Sequence, residues 1–156
     1  MVDKLAKLPH GLNFFVLNFL LGSKVKFVGT AQARCLHLSS NKAVFRLANR
    51  PKVRNHMGTI HAAATALVAE TATGMALAMH LPDNKLPLLK SMRINYLSRT
   101  KGALVAESSL TEEQISSLHA NDRGSLLIAC RVVDDSTHEP VSCQMEWAWT
   151  MKKSST

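Results

Sequence analysis

The run TIHAAATALVAETATGMALAM, Thr59 to Met79, decides the fold. It is dense in alanine, the residue with the best helix propensity. It is apolar on every side, and a helix apolar all round is a buried one. Pro82-Asp83-Asn84 ends it. A buried helix near the middle of a short chain needs a layer to cover it, so its flanks must supply strands.

They do. Upstream, Lys24 to His37 alternates, with Val25, Phe27, Ala31, Ala33 and Cys35 on one side and Lys24, Lys26, Thr30, Gln32 and Arg34 on the other. Ser39-Ser40-Asn41-Lys42 is a turn, and Ala43 to Ala48 completes a hairpin. Asn49 to Gly58 has no period and reads as a loop. Downstream, Leu88 to Ser98 sets Met92, Ile94 and Tyr96 against Ser91, Arg93 and Asn95. Ala103 to Leu110, Gly124 to Val133 and Val141 to Met151 give three more strands. Thr111-Glu112-Glu113-Gln114 is a capping box for a short helix to His119. Trp147 and Trp149 fall on the apolar face of the last strand and read as core. Lys4 to Leu21 reads as an amphipathic helix stopped by Gly22; Asn13 and Asn18 interrupt it and no small-x-small cleavage site follows, which argues against a secretory leader. The expected architecture is α+β: an antiparallel sheet of five to six strands wrapped on one central helix, in one domain over residues 1–156, with an N-terminal helix at 1–22 and the core at 24–151.

Composition narrows the function. The chain has 156 residues, 46% of them hydrophobic, enough for a full core in one domain. No 20-residue apolar run exists, so no membrane span is expected. Three widely spaced cysteines, Cys35, Cys130 and Cys143, form neither a CxxC pair nor a disulfide framework, which fits a reducing cytoplasm. His10, His37, His80, His119 and His138 are scattered, with no pair at metal-binding helical spacing, so no metal is expected. No Gly-rich phosphate loop and no Gly-x-Ser-x-Gly nucleophile occurs. The formal charge of +8 suits an anionic partner. With the basic residues scattered singly and one Tyr and five Phe available for stacking, a phosphate-bearing small molecule fits as well as nucleic acid, which is not expected.

Between Ile60 and Met79 the only acid is Glu70. Apolar surroundings raise a carboxyl pKa, and a raised pKa makes a good general base near neutrality. From position alone Glu70 is equally a structural glutamate hydrogen-bonded to a strand. The first turn of the helix offers unpaired N–H groups and partial positive charge, and Ala62, Ala63 and Ala64 would let a ligand approach that backbone. A thioester carbonyl held there would gain oxyanion stabilisation; the plainer reading is an ordinary helix start. Residue 70 lies ~13 Å along the axis from residue 61. Glu70 therefore cannot serve a carbonyl at its own helix start, but could serve one at the start of an antiparallel copy. The site requires a homodimer, alone or in a dimer of dimers.

Asn55-His56-Met57-Gly58-Thr59-Ile60-His61-Ala62-Ala63, then Glu70, then Met92-x-Ile94-x-Tyr96-Leu97-Ser98 and Lys101-Gly102, resemble the hotdog-fold acyl-CoA thioesterases, with the phenylacetyl-CoA thioesterase type and bacterial thioesterase-like proteins nearest. The resemblance covers about residues 24–151 and is strongest at 55–102. It implies acyl-CoA thioester hydrolysis without a cofactor. It assigns Asn55 to the water or thioester, His61 to the helix start, the N–H of Ala62 to the thioester carbonyl in place of a family glycine, and Glu70 to the catalytic acid. Gly58, Ser91, Arg93, Arg99 and Lys101 would meet the substrate or its coenzyme A phosphates, with Arg50, Lys52 and Arg54 on the loop leading in. Leu67, Met75 and Met92 would line the acyl tail. One departure stands out: the family's Ser or Thr on the following strand, which helps hold the water, falls at Leu89, unless Ser91 substitutes through a register shift.

Two rivals keep the fold. A hotdog dehydratase pairs a histidine with a helix glutamate 14 residues on, the spacing of His56 and Glu70; the Gly-His-Phe-Pro run of those enzymes is missing. A non-catalytic hotdog dimer would bind acyl-CoA or fatty acid without turnover.

Overall fold

The computed structural model describes residues 10–152. Two helices, α1 (His10–Lys24) and α2 (Lys26–Ala31), lead into a hairpin of β1 (Arg34–Leu38) and β2 (Ala43–Leu47). A 3-10 turn at Pro51–Val53 and an irregular loop follow. The central helix α3 (Ala62–Ala78) comes next, then β3 (Lys85–Tyr96), β4 (Leu104–Ser108), α4 (Glu112–Ala120), β5 (Gly124–Asp134) and β6 (Val141–Met151). All strand pairs are antiparallel, in the order β1-β2-β4-β5-β6-β3. This is the architecture read from the sequence: two strands, a buried helix, four strands and one sheet.

The central helix is buried on nearly every side, through Ala64, Leu67, Val68, Ala69, Ala72, Ala76 and Leu77. It packs on β2, β4 and β5. Inward side chains of the long strands close the core: Ile128, Cys130 and Val132 on β5, and Val141, Cys143, Met145, Trp147 and Trp149 on β6. Small residues on α3 let the tryptophan in. A Cβ on Gly74 would stand 2.8 Å from the Trp147 ring, whose Nε1 donates to Thr73 Oγ1 at 3.0 Å. Gly74→Ala is therefore expected to lower stability by about 1–3 kcal/mol through overpacking, although alanine is the better helix former; urea denaturation of the two proteins decides which effect wins.

The N-terminal part differs from the sequence reading. Lys4 to Pro9 lie outside the described residues. Gly22 does not stop the first helix, and the strand expected from Lys24 begins only at Arg34. Residues 26–31 are helical, with Val28 and Ala31 buried at helical spacing, whereas Val25 and Phe27 are exposed. The glycine has another use: a Cβ on Gly29 would lie 2.5 Å from the Gly22 carbonyl oxygen, so the corner between α1 and α2 closes only on two glycines. Asn18, which breaks the apolar run, donates to and accepts from the backbone of Cys35 (3.2 and 2.7 Å), occupying the open edge of β1.

Other local signals hold. Thr111 and Gln114 exchange both capping-box bonds, at 3.0 and 3.2 Å. Lys85 is buried, and its Nζ donates to the carbonyls of Leu118 and Asn121 at the end of α4, where a cation suits the helix dipole. The three cysteines are free and buried, Cys130 directly opposite Cys143.

The other edge of the sheet is β3, 12 residues long. Its inward side chains are Leu89, Met92, Ile94 and Tyr96, paired with inward Trp147, Met145, Cys143 and Val141 of β6. Yet Met92 and Tyr96 remain 52% and 51% exposed, because α3 leaves this flank of the sheet open.

Candidate active site at the start of the central helix

The loop before α3 is built by Asn55. Its Oδ1 accepts from the N–H groups of Met57 (2.9 Å) and Thr59 (3.2 Å), and its Nδ2 donates to Thr59 Oγ1 (2.9 Å). Its backbone N–H donates to the Thr59 carbonyl, and its carbonyl accepts from Gly58. Gly58 sits at φ 77°, left-handed backbone that favours glycine. The closed turn ends in a bend at Thr59 and a bridge from Arg54 to Ile60, so the helix begins three residues later than its composition suggests. Asn55 and Gly58 thus have structural work at this site. His56 is exposed in the turn.

His61 is the N-cap. Its backbone is extended (φ −64°, ψ 143°), and its Nδ1 accepts from the Ala63 N–H at 3.0 Å. The Ala64 and Thr65 N–H groups both donate to the His61 carbonyl, at 2.9 and 3.0 Å. That leaves the Ala62 N–H, which has no hydrogen-bond partner among the described residues. The Ala62 carbonyl is held from the edge strand: Tyr96 Oη donates to it at 2.9 Å. The sequence reading missed Tyr96 as a site residue, though its place on the inward face of β3 was legible. Tyr96→Phe should cost about 1 kcal/mol and loosen the helix start; a lowered melting temperature with an intact far-UV spectrum is the expected observation.

A hollow of about 390 Å³ opens at this point, lined by Asn55, Ala62, Thr65, Tyr96, Arg99 and Thr100 among others. Of the predicted residues it gathers Asn55, Ala62 and Arg99, with Gly58 and His61 in the adjoining turn and cap. Thr100 Oγ1 is buried without a partner among the described residues, an unmet hydroxyl at the wall of the hollow. Lys101 follows directly; its N–H donates to Asp134 at 2.8 Å, and its side chain is exposed. Two basic residues of the loop are committed elsewhere. Arg50 bonds Gln32 and the Ala31 carbonyl, and Arg54 bonds Asn49 at 2.9 and 3.1 Å.

Glu70 stands apart. It lies two turns further along α3, a rise of ~12 Å from Ala62, and does not line the hollow. It is half-buried. Burial pushes its carboxyl above the ordinary glutamate value of 4.5, and the neighbouring Thr71 hydroxyl pulls it back only in part.

Ser91 and Arg93 are not with the helix start. A bulge between Leu89 and Ser91 does shift the register of β3, but it leaves Leu89 inward, against the core, and turns Ser91 outward, where its hydroxyl donates to Glu146 at 3.3 Å. Lys90 pairs with the same carboxylate at 2.5 Å. Ser91 and Arg93 line an outer-face hollow with Gln144 and Glu146, on the side of the sheet away from α3. The expected register shift therefore occurs without delivering a hydroxyl toward the helix. Among the described residues no group of three His, Cys, Asp or Glu side chains could hold a metal, and no helix is long and apolar enough to cross a membrane.

The chain can now be placed among known proteins. Residues 16–149 match the family described as a domain of unknown function, DUF4442. A search of the curated proteins finds no match. Among solved structures it is similar to a Pseudomonas aeruginosa protein of unknown function described as a probable thioesterase, at a TM-score of 0.79 and 19% identity over 93% of this chain and 97% of that one. A Haemophilus influenzae thioesterase superposes at 0.72 with 12% identity, covering 88% and 90% of the two chains. A mutant of a Staphylococcus aureus thioesterase superposes at 0.69 with 16% identity, covering 80% and 98%. At such identities the likeness speaks for the fold. Sheet order, central helix and family match together make the chain a member of the DUF4442 family with the hotdog fold of thioesterase-like proteins.

Proposed function

We propose that the protein hydrolyses acyl-CoA thioesters in a homodimer, with Glu70 of one protomer serving a thioester held at the α3 start of the other. One observation carries the reading: the single carboxylate of the central helix is half-buried with a raised pKa, while the Ala62 N–H, an oxyanion donor in waiting, stands ~12 Å away on the same helix. An antiparallel copy of α3 brings the two together. The open β3 edge supports that copy, because an unpaired 12-residue edge strand with half-exposed Met92 and Tyr96 beside it is a ready surface for pairing. Glu70 would then activate a water or attack the carbonyl itself, and Ala62 N–H would stabilise the oxyanion. Arg99 and Lys101 suit the coenzyme A phosphates, with the acyl tail among Leu67, Met75 and Met92.

A second reading has its own support. Leu89 packs into the core where a Ser or Thr would help hold the water, and the Asn55 carboxamide is engaged in its turn. Both favour a hotdog dimer that binds an acyl ligand without turnover. Thiol release from acyl-CoAs of increasing chain length separates the two. Release at one or more chain lengths is expected; stable binding without release from any of them would transfer the site to the binding protein.

A further inference from the structure

We propose that the helical corner at the N-terminal end of the chain is a docking surface for an anionic phospholipid bilayer. Charge is divided unevenly along the sequence. Between Asp3 and Glu70 stand ten Lys and Arg residues and no acid, whereas residues 70–156 carry nine basic and ten acidic residues. Eight of those ten basic residues lie in the segment that folds as α1, α2, the β1–β2 hairpin and the loop after it, which holds no acid.

Large apolar side chains are exposed on the same segment. Phe15 and Phe19, one turn apart on α1, are 72% and 69% exposed; Val25 and Phe27 at the corner and Leu36 on β1 are exposed as well. Beside them Arg34 and Arg46 sit directly opposite each other across β1 and β2. Like charges so placed repel, and neither forms a salt bridge among the described residues. The two features are one surface. Phe15, Phe19 and Arg34 line a hollow of about 420 Å³; Arg34, Leu36 and Arg46 line a second of about 290 Å³; Gln32 and Arg34 belong to both.

Aromatic rings that enter the headgroup boundary beside Lys and Arg that meet lipid phosphates are what an interfacial surface needs. A second copy of this chain is a poor occupant, because a two-fold contact would set this basic surface against itself. Nucleic acid would use the charge and could stack on the phenylalanines, but it gains nothing from exposed Val25 and Leu36, which the apolar boundary of a bilayer takes up.

Flotation of the full chain with vesicles of phosphatidylcholine, alone or with about 30% phosphatidylglycerol, tests the proposal. Binding is expected to the anionic vesicles, falling steeply as salt rises from roughly 0.1 to 0.5 M. Phe15→Ser/Phe19→Ser should weaken it at least about tenfold, and Arg34→Gln/Arg46→Gln roughly 20-fold. All four side chains are exposed, so both variants should keep the wild-type circular dichroism. Absence of binding, equal binding to neutral vesicles, or binding that survives both substitutions would overturn the proposal. So would tighter binding to random-sequence RNA that the Phe substitutions leave unchanged, or a Phe variant altered in sedimentation mass but not in vesicle binding.

Discussion

Glu70→Gln is expected to lower thioester hydrolysis by roughly a thousandfold, within the range a positioned general base contributes, while fold and dimer persist. Glutamine keeps the size of the side chain and one acceptor oxygen but carries no charge and cannot act as a base. Two further readouts follow from the raised pKa. The acid limb of the wild-type rate profile should lie above the ordinary glutamate range, because the carboxylate is the working form. Stability should move the opposite way. Folding raises this pKa, so the contribution of this one carboxyl to stability is full at pH below 4.5 and is lost as pH rises through the folded value. Glutamine does not ionise, so the variant should melt with the wild type at low pH and above it at neutral pH. A glutamate that merely braced a strand would give a variant that melts lower, with no change in the rate profile.

Ala62→Pro should lower the rate by a factor of roughly 100 to 1,000, the cost of one oxyanion donor. This substitution removes an N–H and little else. Proline is favoured at the first position of a helix. The residue before it must be extended, and His61 already is, at ψ 143°. The Ala62 N–H has no described partner to lose, and the carbonyl that Tyr96 holds is retained. The melting temperature should therefore hold while the rate collapses. Ala62→Gly, which keeps the N–H, should retain most of the activity.

Much of this was legible in the residues. The central helix announced itself by an apolar run with one acid, and β6 by strict alternation from Val141 to Met151, because both sit where packing agrees with local pattern. The N-terminal corner did not, because two glycines 7 residues apart made a close helix contact that reads, in one dimension, as a stop followed by an alternating strand. Asn55, His61 and Ala62 could be placed at the helix start, but the roles of Asn55 and His61 as turn-builder and cap depend on hydrogen bonds that spacing does not reveal. Ser91 shows the limit most plainly. Its neighbour Lys90 is the extra residue of a bulge, and one residue decides which face of a sheet a hydroxyl occupies. Tyr96 escaped notice as a site residue because its hydroxyl reaches across to a backbone carbonyl 34 positions away.

The shared site makes a demand that no single variant can test. Glu70→Gln and Ala62→Pro chains, each nearly inactive alone, should be co-expressed and assayed as mixed dimers. A site that takes its carboxylate from one protomer and its N–H from the other is whole once in every mixed dimer. About a quarter of wild-type activity per chain should then return, since half the dimers are mixed and each holds one of two sites. Activity no greater than the sum of the two parents would contradict the account, and would mean that Glu70 and the start of α3 do not meet across the dimer.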